Sequence, residues 1–391
     1  MKKNRILVFM LLLTLVLFSG FNVEAQEDQL ELLNQSIKNY HLNNYQKALD
    51  LNLQINLEDL TTSATVDTLY YRTLINLALG NISEGKENLQ DLNDMGYDFG
   101  MIHYELARIY MNFYNNFDNA YYQTAIEEFK KARSLGIDSP QFHRDFAMAY
   151  MGVNNREMAI QELELAIVGN GKISDLLNIA TLHKELGNYD QAAEFYQQVI
   201  ERDDQNITAY SELGDVLIRQ EKYAEAAEVL KQGVEINPDS LIINFKLGQA
   251  SYLAENYGQA ERYLQKVVEL KDNYYRAYFY LGKLYNKRED YQNAKYYLNQ
   301  ATRYNPSFAD AYIELGDINL KQGNNYQAIA NYSTAIDQNE NYPKGHFHLA
   351  LAYIEADMKD AAISELRKTL HLSDSHPEAQ ELLDKLLEEK E

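Results

Sequence analysis

The stretch AYFYLGKLYNKREDYQNAKYYLNQA, Ala277 to Ala301, crowds six tyrosines and four basic residues into one short run. Rings interleaved with Lys and Arg stack on bases or sugars and pair with phosphates or carboxylates, and the same rings also fill the seam of a helix pair. Elsewhere the chain offers little chemistry. No HExxH, GxSxG or Walker-type glycine loop occurs, and there is no cysteine to serve as nucleophile, metal thiolate or disulfide half. His346 and His348, two apart, fall on different faces of a helix, whereas His103 and His143 take equivalent places in neighbouring segments. Two histidines without a third ligand rarely hold a metal. The expectation is an aromatic-sized filler at each, with no metal site, no cofactor and no enzyme activity.

Charge narrows the partners. The chain has 36 basic and 58 acidic residues, a net charge of −22. Such a polyanion repels nucleic acid, whose binding depends on neutralised phosphates. Lys2, Lys3 and Arg5 precede an apolar run from Ile6 to Phe18, and Val23 and Ala25 supply the small residues of an export cleavage site. Residues 1–25 therefore read as a signal peptide cleaved after Ala25. Because the run is short for a membrane span and no Cys follows it, the mature chain is expected to be neither membrane-spanning nor lipid-anchored. The expected location is the periplasm, the cell envelope or the exterior.

The elements that position the rings emerge from a repeat. Gly214, Gly248, Gly282 and Gly316 recur every 34 residues, with Ala180 and Ala350 extending the series, and Ala192, Ala226, Ala260, Ala294, Ala328 and Ala362 follow each member by 12. Glycine inside a helix costs about 1 kcal/mol relative to alanine, so its recurrence needs a packing reason. Two helices pressed together at the small residues supply one. Tyr278, Leu281 and Tyr285 share one helical face, and Ala294, Leu298 and Ala301 repeat the rhythm in a second helix.

Tyr278-x2-Leu281-Gly282-x2-Tyr285, then Ala294-x3-Leu298 and Pro306, resembles the tetratricopeptide repeat (TPR) consensus. The resemblance is specific over residues 173–376, six well-matched units. It continues as degenerate units over 26–172, with an insertion near 111–124 and a first unit around Leu33 to Ile55. It implies an all-α fold, a right-handed α-solenoid of about ten helix-turn-helix repeats, with residues 377–391 as a capping helix. Upstream, Ala107 and Ala147 hold the small-residue place.

The resemblance also implies which residues line the concave groove. Positions two, five, nine, twelve and thirteen of each unit give Phe245, Gln249 and Tyr252 in one repeat, then Arg276, Phe279, Lys283, Asn286 and Lys287, and Phe347 farther on. The combination of Lys at position five and Asn at nine, by which cytosolic chaperone-binding TPRs hold a peptide carboxylate, is absent. The expected function is a protein-interaction scaffold of the cell envelope that binds a peptide segment in this groove. Phe245, Tyr252, Phe279 and Phe347 are expected as an exposed apolar strip beside the positive patch of Arg276, Lys283 and Lys287. The alternative is a carbohydrate-associated scaffold of exopolysaccharide export or cell-wall assembly, with tyrosines stacked on sugars.

Overall fold

The computed structural model describes residues 23–112, 119–169, 171–373 and 375–389. Residues 1–22 of the expected signal peptide, and residues 113–118 of the expected insertion, lie outside the described residues. All described regular structure is helical, and the chain divides into two compact units, residues 1–182 and 183–391.

The first unit is built from helix pairs. These are α1 (Val23–His41) with α2 (Tyr45–Leu53), α3 (Thr62–Leu79) with α4 (Ile82–Asp94), α5 (Gly100–Asn112) with α6 (Asn119–Ser134), and α7 (Pro140–Gly152) with α8 (Arg156–Ala166). A 3-10 turn, Leu57–Asp59, connects the first two pairs. Helix α9 (Ile173–Glu185) spans the division. The second unit continues with α10 (Tyr189–Arg202), α11 (Ile207–Arg219), α12 (Tyr223–Ile236), α13 (Leu241–Leu253) and α14 (Tyr257–Leu270). It ends with α15 (Tyr275–Lys287), α16 (Tyr291–Tyr304), α17 (Ala309–Lys321), α18 (Asn325–Gln338), α19 (Pro343–Glu355), α20 (Lys359–Leu372) and the cap α21 (Pro377–Glu388). Such helix pairs within each unit, with a cap at the end of the second, make an α-solenoid of tetratricopeptide type. None of the described helices is long and apolar enough to cross a membrane.

The small-residue register explains the pairing. A Cβ on Gly282 would lie 2.6 Å from Leu298 Cγ and 3.2 Å from the Ala294 carbonyl oxygen. Gly248 faces Leu264 in the same way, and Gly316 lies under the Tyr332 ring. Gly282 therefore faces the second helix next to the Ala294 carbonyl, and the side chain that fills the gap is that of Leu298. The degenerate first pair keeps the device in another form: Ser36 and Ala48 are fully buried, and Ser36 Oγ donates to the Ala48 carbonyl at 2.8 Å.

The turn inside each pair is also periodic. Gly187, Glu221, Glu255, Glu289, Gly323 and Asp357 are 34 apart and all left-handed, with φ between 59° and 78°. Each is followed by an N–H that reaches back to close the helix, as from Asp290 to the Tyr285 carbonyl at 3.0 Å and from Asn256 to that of Ser251 at 2.8 Å. This is the glycine-favouring helix stop, filled by glutamate in three consecutive repeats.

Candidate binding groove

The expected aromatic strip is packed, not exposed. Phe245, Tyr252 and Phe279 retain 7, 7 and 9% of their surface, too little to anchor a partner. The cause lies one repeat along the chain. Tyr274, Phe308 and Tyr342, again 34 apart, sit at the N-terminal caps of α15, α17 and α19 and lie over the position-five side chain of the preceding first helix. Tyr274 meets Phe245 at 5.1 Å between ring centroids, and Phe308 meets Phe279 at 4.9 Å. Tyr280 closes the same seam: its ring is 5.6 Å from that of Tyr252, and its hydroxyl accepts from Gln249 at 2.8 Å. Gln249 is thereby committed to the seam. Phe347, half-buried, packs tilted against His376 before the cap helix, with ring centroids 4.4 Å apart, and belongs to that terminal core. The aromatic series one place before each first helix was the sequence signal that would have shown this cover.

Four of the expected groove residues do converge. Tyr252, Lys283, Asn286 and Lys287 line a cleft of about 640 Å³ where the C-terminal ends of α13, α15 and α17 come together. Lys321, Glu314, Asp317, Glu255 and Glu289 complete its polar lining. Lys283 is held in place. Its ammonium lies 5.5 Å from the Tyr252 ring centre, 5.4 Å from that of Phe279 and 3.7 Å from Glu314. Asn286 donates to Glu314 at 3.4 Å and accepts from Lys321 at 3.5 Å. Asp317 accepts from the Tyr332 hydroxyl at 2.6 Å and meets His348 Nδ1 at 2.8 Å. Burial raises the Asp317 pKa, yet the His348 and Tyr332 hydrogen bonds outweigh it and hold the carboxyl below the usual range. Lys287 and Lys321 stand in the last turns of α15 and α17, where the helix dipole favours cations by about 0.3–1 kcal/mol. That accounts for a lysine at each helix end but not for three lysines around one cleft. Arg276 is exposed and is not part of the cleft lining; it lies over the Tyr275 ring at 5.9 Å.

Tyr297, which the repeat consensus does not explain, joins the consensus residues Tyr278 and Tyr285 in a row of rings. Tyr304 stacks on Tyr278 at 5.5 Å, Tyr278 lies 6.3 Å from Tyr297, and Tyr297 stacks on Tyr285 at 5.3 Å. Each of the four rings thus gives one face to a stacked partner, while Tyr304 keeps 36% of its surface. Tyr296, set edge-on to Tyr297, keeps 55% of its surface.

His103 and His143 are buried struts. His103 Nδ1 meets Glu128 at 2.5 Å and its Nε2 meets Asp98 at 2.8 Å; His143 repeats this with Glu162 at 2.8 Å and Asp138 at 2.7 Å. His346, in the same place of its repeat, bridges Glu365 at 2.6 Å and the Glu340 carbonyl at 3.0 Å. With both nitrogens engaged, each ring ties the first helix of its pair to the second. Among the described residues no group of three or more His, Asp or Glu side chains is arranged to hold a metal ion.

Tetratricopeptide repeat family models match residues 183–246 and 275–308, and a TPR repeat model matches 316–356. No curated protein sequence matches the chain. Among solved structures, a tetratricopeptide repeat protein from Parabacteroides merdae aligns with a TM-score of 0.53 at 17% identity, covering 63% of this chain and 98% of that one. A chain of the APC/C hetero-tetramer Cut9–Hcn1 aligns with a TM-score of 0.50 at 14% identity, covering 94% of this chain and 77% of that one. These likenesses concern the fold, and they agree with the 34-residue register, the left-handed turns and the helix pairs: the chain is a tetratricopeptide repeat protein.

Proposed function

We propose that the protein is a non-enzymatic interaction scaffold and that its second unit holds an acidic protein segment along the inner faces of α13, α15, α17 and α19. One observation carries the reading. The carboxylates on the helices themselves are engaged: Glu314 by Lys283 and Asn286, Asp317 by Tyr332 and His348, and Asp310 by the Tyr342 hydroxyl. The inner-face cations Arg276, Lys287 and Lys321 have no ion pair with a carboxylate among the described residues, whereas Lys344 acts on Asp317. In a chain of net charge −22, an unneutralised positive face attracts an anionic segment. Since the large rings are covered, charge rather than aromatic anchoring supplies the recognition.

The leader-like residues 1–25 motivate the second half of the proposal: the scaffold is exported, cleaved after Ala25, and works in the cell envelope or beyond. An intact mass of exported protein beginning at Gln26 supports this, and a mass that retains Met1 refutes it. The groove is tested by fluorescence anisotropy with a labelled glutamate-rich peptide and its glutamine analogue. Binding of the acidic peptide alone, lost at high salt and in a Lys287→Glu/Lys321→Glu variant, is the expected result. Equal binding of the two peptides, or no effect of the variant, overturns it.

A further inference from the structure

Glu255 and Glu289 stand at the lip of the same cleft that Lys283, Lys287 and Lys321 line. Both carboxylates are exposed, and neither has an ion-pair partner among the described residues. Lys287 is only two residues from Glu289, yet they do not pair. The lysine ends α15, and the glutamate sits in the left-handed turn beyond it, with φ of 60°. Glu255 occupies the matching turn after α13, with φ of 59°. Glycine fills that position without steric cost in two other repeats, as Gly187 and Gly323, so a glutamate there is held against local backbone preference. One concavity thus presents unpaired charges of both signs, kept apart by the helix ends that carry them.

We infer that the cleft is a two-signed site, taking a segment in which acidic residues lie next to basic ones. The acidic side chains meet Lys283, Lys287 and Lys321, and the basic side chains meet Glu255 and Glu289. The inference rests on the groove reading above and deepens it, because a purely cationic groove and a two-signed cleft rank the same ligands in opposite order. Adding lysines to an acidic peptide lowers its negative charge and weakens attraction to a cationic groove. The same lysines strengthen binding to a cleft that has carboxylates waiting for them.

Three labelled dodecapeptides on one glycine-serine background separate the cases: four glutamates with two lysines, four glutamates with two glutamines, and six glutamines. At low salt the wild-type protein is expected to bind the lysine-bearing peptide about fivefold more tightly than the first glutamine-bearing one, the upper end for exposed ion pairs. A Glu255→Gly/Glu289→Gly variant should reverse that order, while Glu221→Gly, which changes the same turn position outside the cleft, should keep it. If the acidic peptide binds but lysines weaken it, or if the preference survives in the double variant, the two-signed inference is overturned and the acidic-groove reading stands. Binding that does not distinguish the six-glutamine peptide, or no binding by any of the three, overturns both.

Discussion

Glu289 is a residue whose cost can be measured directly. A side chain in the left-handed region costs about 1–2 kcal/mol, part of which glycine returns as extra freedom in the unfolded chain. Glu289→Gly and Glu221→Gly should each stabilise the protein by about 0.5–1 kcal/mol in urea denaturation, whereas Glu289→Gln, which keeps the Cβ, should stay within about 0.5 kcal/mol of wild type. A destabilised glycine variant would mean that the turn is not strained. His103 offers a pH test. Burial disfavours its charge, but hydrogen bonds to Glu128 on α6 and Asp98 before α5 win, and its pKa is raised above the ordinary 6.5. A raised folded pKa contributes stability that is complete below 6.5 and disappears as pH climbs through the raised value. The stability gap between wild type and His103→Gln should therefore narrow as pH rises from 6 to 9. A gap independent of pH would assign the ring a purely steric role.

At the scale of the helix pair, two glycines make opposite predictions from the same substitution. Gly258, in α14, has nothing within 4 Å of a would-be Cβ, so Gly258→Ala should gain up to about 1 kcal/mol of helix propensity. Gly282 has Leu298 Cγ 2.6 Å from that point. Gly282→Ala should lose about 1–3 kcal/mol to overpacking, more than the propensity it gains, and Ala294→Leu should fail at the same seam. Thermal melts in which the two glycine variants shift the same way would refute the packing register.

Across the whole molecule the dominant feature is charge. With a net charge of −22, self-repulsion opposes the folded state at low ionic strength. Salt screens exposed charges over a Debye length of about 10 Å at 0.1 M. Added sodium chloride should therefore raise the melting temperature while weakening binding of the acidic peptide. Effects of the same sign on both would show that the bound segment does not rest on the lysines.

The sequence alone determined the repeat, because Gly282 and Ala294 mark a backbone approach that must recur wherever the same two helices meet. It also determined that Lys283 and Lys287 share one helix face, since four residues along a helix return to the same face, and the repeat resemblance implied the matching stripe of the preceding unit, with Tyr252. Two things escaped a reading of one repeat at a time. Phe245 and Phe279 lie on that stripe too, yet Tyr274 and Phe308 of the following repeats cover them, a contact made only when units stack. Glu255 and Glu289 were legible only as turn residues. Tertiary structure decided that the turns after α13 and α15 reach the cleft that α17 completes with Lys321, for helical periodicity fixes a residue's face, while the spacing of neighbouring helices fixes which faces share a site.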